Sequence, residues 1–77
     1  MQPESRVLTI VQVRHLAANG EARGRRTAAG LSLGEVAAAV GVSPSTVLRW
    51  ERGERSPRGD AAVRYGQLLK RLAKAAS

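Results

Sequence analysis

Hydroxyl and guanidinium groups at short, regular spacing are the chemistry-bearing feature of this 77-residue chain. Ser45, Thr46, Arg49 and Arg52 recur at helical spacing, and Arg55 and Arg58 follow them within six residues. An arginine fork matches paired phosphate oxygens, or the O6/N7 edge of guanine, better than a lysine point charge does. Hydroxyls of this kind bond to phosphates and to base edges. The chemistry implied is recognition of a polyanion rather than bond breaking. The chain has no cysteine, which excludes disulfide staples and cysteine–zinc sites. Its single histidine, His15, has no metal-ligand company in the sequence. Without paired carboxylates in a pocket or an evident nucleophile, the sequence reads as a non-enzyme that needs no cofactor, metal or small-molecule ligand.

The overall charge points the same way. Thirteen Lys and Arg stand against six Asp and Glu, for a formal charge of +7. Most of the basic residues are arginine, as a nucleic-acid partner would require. Glu51 and Glu54 interrupt the run, so it is not a uniformly adhesive patch. No apolar run approaches a membrane span, and the N-terminus lacks the pattern of a secretory signal. A cytoplasmic, nucleoid-associated location is the expectation, consistent with the absence of cysteine.

Elements of one small domain must position these groups. Residues 1–8 read as an N-terminal arm, with Pro3 set against early helix and Arg6-Val7-Leu8 extended. Thr9 and Gln12 have capping-box spacing and would open a first helix ending at Asn19-Gly20. The β-branched Ile10, Val11 and Val13 make a strand the rival for its first half. A second helix spans Gly20 to Ala29, begun by Asn19 and ended by Gly30. Arg23 and Arg25 within it fit either backbone contacts or a solvated face. In the third, Ser32 and Glu35 form a capping box, and Val36, Ala37 and Val40 share a face. Gly41 stops it, and Ser43 caps the next with Pro44 at its first position, where a missing N–H is no loss. Val47 and Trp50 face inward, so Trp50 is core, and Gly53 ends the helix. A loop at Ser56-Pro57-Arg58-Gly59 leads to a last helix from Asp60 to about Ala75. Its stripe of Ala62, Tyr65, Gly66, Leu69, Leu72, Ala73 and Ala76 serves as core, with the remainder near Ala73 and Ala76 available for pairing of subunits.

Two short helices joined by Gly41-Val42-Ser43 make a helix-turn-helix over residues 32–53. Ala37 must be small where the second helix crosses, Gly41 permits a positive φ at the turn, and Val42 and Val47 fill the wedge. The major groove of duplex DNA admits a helix of this kind. Ala29-Gly30-Leu31-Ser32, Val36-Ala37, Val40-Gly41-Val42-Ser43, Ser45-Thr46-Val47 and Trp50-Glu51-Arg52-Gly53 with Pro57 resemble the phage repressor and Cro type of helix-turn-helix, the xenobiotic-response-element family. The resemblance covers roughly Gly20 to Pro57. It implies an all-α, compact five-helix bundle over residues 9–77, with the fourth helix as reader.

That resemblance also implies base contacts from Ser43, Pro44, Ser45, Thr46 and Arg49, and an ion pair between Arg26 and Glu51. Ser32, Arg52, Arg55 and Arg58 are the phosphate-contacting candidates. Two departures matter. Leu33 stands where the family often has a glutamine that touches a phosphate. Pro44 and Ser45 replace longer polar residues, so direct reading leans on Arg49. The function implied by the resemblance is a sequence-specific regulator of transcription, a repressor in type, bound to double-stranded DNA and pairing with itself through the last helix. An antitoxin or protein-recruiting module and a DNA-bending accessory factor of a mobile element are the alternatives.

Overall fold

A computed structural model describes residues 3–76. Its elements are α1 (Pro3–Ala18), α2 (Glu21–Ala28), α3 (Leu33–Val40), α4 (Pro44–Glu51) and α5 (Gly59–Ala75), and no strand occurs among the described residues. The five-helix, all-α bundle expected from the sequence is the fold found. The long helices α1 and α5 make the most extensive pairing, and α2, α3 and α4 pack around them.

The N-terminal segment differs from its sequence reading. Residues 3–8 are the first turns of α1, not an extended arm. Pro3 stands at the first helical position, where its fixed φ suits a helix and its missing N–H is no loss. Thr9 therefore lies inside the helix and cannot cap it, and the strand alternative for Ile10 to Val13 falls with it. Thr9 faces α5 instead. A Cβ built on Gly66 would lie 2.8 Å from Thr9 Cγ2, so the absence of a side chain at Gly66 sets how closely α1 and α5 approach. The start of α2 is also shared differently. Gly20, at φ +88°, holds the cap position, while Asn19 supplies the side-chain oxygen that accepts the Glu21 N–H at 2.9 Å.

The helix-turn-helix segment follows its local signals closely. Ser32 Oγ accepts the Glu35 N–H at 3.0 Å, and Glu35 accepts the Ser32 N–H at 2.9 Å. Gly41 takes φ +83°, and the N–H groups of Gly41 and Val42 both donate to the Ala37 carbonyl. That double bond closes α3 and turns the chain sharply enough for α4 to begin at Pro44. Arg64 reinforces the turn from α5, its Nε donating to the Val40 carbonyl at 2.7 Å. A cation at that place also opposes the negative end of the α3 dipole.

The core joins all five helices: Val13, Leu16 and Ala17, then Ala22, then Val36, Ala37 and Val40, then Val47 and Trp50, then Ala62, Tyr65 and Leu69. Its aromatic pair is Trp50 on Tyr65, with ring centroids 4.8 Å apart and planes at 30°. Trp50 is thus spent on packing α4 against α5. On α5 the expected stripe divides by depth. Ala62, Tyr65 and Leu69 are buried, Gly66, Leu72 and Ala73 are half-buried, and Ala76 is exposed.

The Tyr65 hydroxyl is buried without a hydrogen-bond partner among the described residues. Burial, helped by the nearby Glu51 charge and opposed by Arg26, pushes its pKa up to about 12. A group raised in the folded state above its unfolded value, about 10, contributes stability that is intact below pH 10 and lost as pH climbs toward 12. The loss amounts to about 2–3 kcal/mol. Tyr65→Phe keeps the ring and removes both the orphaned hydroxyl and this ionisation. Urea melts at neutral pH should show the variant equal to or about 1 kcal/mol above wild type. Between pH 9 and 11 its midpoint should fall less than that of wild type, and parallel declines would contradict the assignment.

Candidate nucleic-acid interface

The exposed face of α4 is built by its caps and by what anchors its inner face. Ser43 Oγ accepts the Thr46 N–H at 3.2 Å and lies 2.8 Å from Thr46 Oγ1 and 3.2 Å from Ser45 Oγ. The three hydroxyls form one small cluster on the first turn. Ser43, Pro44, Ser45 and Arg49 are exposed and Thr46 is half-buried at the edge. Val47 and Trp50, on the opposite side, are fully sunk in the core. The packing therefore leaves Ser45, Arg49 and Arg52, spaced by four and then three residues, on one outward stripe.

An ion pair fixes the last turn of α4. Arg26 on α2 donates from Nε to Glu51 Oε2 at 2.6 Å and from Nη2 to Glu51 Oε1 at 3.0 Å. Its Nη1 donates to the Leu31 carbonyl at 3.0 Å, so the same guanidinium also ties the α2–α3 link. Glu51's side chain is only 3% exposed. The hydrogen bonds to Glu51 outweigh burial and raise the Arg26 pKa further. Arg26 stays charged, and the Glu51 carboxylate is paired with it inside the protein instead of facing a polyanion.

Basic groups flank the stripe on both sides. On one side Arg23, Leu33, Leu48 and Arg52 line a shallow depression over the Arg26–Glu51 pair. Arg52 lies 3.8 Å from Glu54, an exposed pairing that holds it weakly. Ser32, exposed at the start of α3, immediately precedes Leu33, and its hydroxyl is engaged in the capping box. On the other side Thr46, Trp50, Arg55, Ser56 and Arg58 border one depression, and Arg55, Ser56 and Arg58 share a second with Arg14 of α1. Arg14 Nε donates to the Pro57 carbonyl at 2.8 Å and so steadies the loop that carries Arg55 and Arg58. Nothing in the sequence marked Arg14 for this place, because its spacing along α1 does not reveal where a loop 43 residues away will lie.

The structure thus leaves Ser43, Pro44, Ser45, Arg49 and Arg52 on the exposed side of α4 with Thr46 at its edge, sets Arg55 and Arg58 along one flank, and sets Ser32 beside the other. It also sorts the arginines. Arg14, Arg25, Arg26 and Arg64 are held by partly buried partners on other elements, and Arg6 by the exposed Asp60. The guanidiniums of Arg23, Arg49, Arg55 and Arg58 have no partner among the described residues, and all but Arg49 border the three flanking depressions.

The helix-turn-helix family model HTH_3 matches residues 23–72, about two thirds of the chain. The chain belongs to this helix-turn-helix family. This XRE-type family is the one the motif resembled, a DNA-binding regulatory family rather than a typically enzymatic one. No curated protein and no solved structure matches the chain. The matched span of the helix-turn-helix domain runs from Arg23 to Leu72 and so holds α3, α4 and the flanking residues of the α4 face other than Arg14. Among the described residues no helix is long and apolar enough to cross a membrane.

The Arg26–Glu51 pair should be the costliest polar contact to break. Glu51→Ala leaves a nearly buried guanidinium without its carboxylate and should cost about 3–5 kcal/mol. Replacing both partners, Arg26→Met with Glu51→Leu, should recover most of that loss in urea denaturation. A Glu51→Ala cost below about 1 kcal/mol would place the pair among ordinary surface salt bridges.

Proposed function

We propose that this helix-turn-helix protein is a sequence-specific, double-stranded DNA-binding regulator of transcription that acts as a repressor, reading the major groove with residues 44–52. The observation that carries the proposal is the exposed, unpaired Arg49 at the centre of the α4 face, between two basic flanks. With Pro44 lacking an N–H and Ser43 engaged as a cap, Arg49 is the one long side chain able to reach a base from the middle of the helix. A bidentate bond to guanine O6 and N7 contributes about 1–3 kcal/mol of discrimination. Ser43, Pro44, Ser45 and Thr46 supply shorter contacts to bases at the helix's N-terminal end. Ser32, Arg52, Arg55 and Arg58 hold phosphates, and Arg52 and Arg55/Arg58 suit the two backbones that border one groove. A repressor acts here by occupying its site, in the cytoplasm at the nucleoid.

The protein-recruiting or antitoxin reading has one observation in its favour. A groove of about 560 Å³ between α2 and the end of α5 is lined mainly by Gly24, Ala28, Ala29, Leu72, Ala73 and Ala76. It lies away from the α4 face, so both activities fit one domain.

Selection from a random duplex library at two salt concentrations separates these readings. Wild type should yield a defined motif containing guanine. Arg49→Ala should lose that guanine while keeping the rest. Arg55→Ala should weaken all sequences alike and lower the salt slope by about one. No motif, with binding lost in salt for every variant, would contradict sequence reading and leave the groove between α2 and α5 as the functional surface. Strong bending with weak sequence preference would indicate the accessory role.

A further inference from the structure

The large aliphatic side chains left in solvent among the described residues, Val7, Leu8 and Val11, all belong to α1, at 58%, 61% and 57% exposure. The core side of that helix carries Val13, Leu16 and Ala17, with Ile10 packed against them. The helix is therefore apolar on two opposite sides, a pattern found where both sides are covered. The bundle covers one. Directly opposite it runs the stripe Glu4, Leu8, Val11 and His15, whose spacing of four, three and four residues keeps it in line along the helix.

We infer that this outer face of α1 is a self-association surface that takes the same helix of a second copy of the chain, packed antiparallel. The stripe reads the same by type from either end, polar–aliphatic–aliphatic–polar. An antiparallel copy that sets Leu8 against Val11 of the partner therefore also sets Glu4 against the imidazole of the partner's His15, at both ends of the contact. Neither Glu4 nor His15 has a side-chain partner within its own chain among the described residues. Charge favours this face for the approach of two chains that each carry +7. The nearby cations of α1 are already occupied, Arg6 by Asp60 and Arg14 by the Pro57 carbonyl. The α5 surface expected from the sequence is the poorer candidate. Leu69 is in the core, Leu72 packs against it, and the exposed apolar groups at its end are alanines beside Lys70, Arg71 and Lys74. A patch of three side chains buries less than the roughly 1,000 Å² of a stable interface, so the association is weak and reversible.

Sedimentation equilibrium of the full chain without DNA tests the inference independently of the DNA reading. Over roughly 10 µM to 1 mM, the range of weak complexes, the wild-type average mass should climb from monomer toward dimer. Leu8→Glu should hold the chain monomeric, and Glu4→Lys should weaken association at least threefold. Adding His15→Glu to Glu4→Lys should restore it, which a merely hydrophobic contact would not do. All these positions are exposed, and circular dichroism melts verify that each variant folds. A wild type monomeric throughout, a Leu8→Glu variant that associates like wild type, or a charge exchange that fails to restore association would overturn the inference.

Discussion

The bidentate contact between Arg26 and Glu51 is the constraint on which the presentation of α4 depends. It joins α2 to the last turn of α4, and through the Leu31 carbonyl it also fixes the link into α3. An eight-residue helix has little stability of its own, since nucleation costs more than so few bonds return. What holds α4 in one pose is the pair at its C-terminal end, the Ser43 cap at its start and the Trp50–Tyr65 stack beneath it. A buried pair is seldom a large net source of stability against a well-packed apolar alternative. Its geometry does something an apolar contact cannot. It sets the rotation of the helix about its axis, and with it the direction of Arg49.

Arginine has two uses in this small protein. With no phenylalanine and only one tryptophan and one tyrosine, the core is made of modest side chains. Guanidiniums compensate by reaching from one element to a carbonyl of another: Arg14 to Pro57, Arg25 to Leu69, Arg64 to Val40. Each connects segments at least 24 residues apart in sequence, and each is removed from the pool available to a polyanion. Arg23, Arg49, Arg55 and Arg58 stay unpaired on or beside α4, while Lys70, Arg71 and Lys74 are exposed on the last turns of α5.

The helix-turn-helix was legible in the sequence because its signals are local. Ser32 with Glu35, Gly41, Ser43 with Pro44, and Gly53 act within a turn of their own position, and each governs a helix end in the structure. The start of α1 was misread although the same rule applied there, since Pro3 fits a first helical position as well as Pro44 does. Tertiary placement was beyond local signals. Arg14 joins the basic flank, Thr9 meets Gly66, and Val7, Leu8 and Val11 remain outside, all because of how α1 rotates onto α5. No spacing along one helix specifies that rotation in advance.

In the proposed mode of binding, one face, made of α4 and its two basic flanks, meets duplex DNA while the outer face of α1 does not. Amide NMR of the labelled chain, titrated with a short duplex at moderate salt, tests it most directly. Shifts should concentrate at Ser32, at Ser43 to Arg52 and at Arg55 to Arg58, with Arg14 at the margin and Glu4, Leu8 and His15 unmoved. Shifts centred on α1 or on the end of α5, with α4 silent, would contradict it.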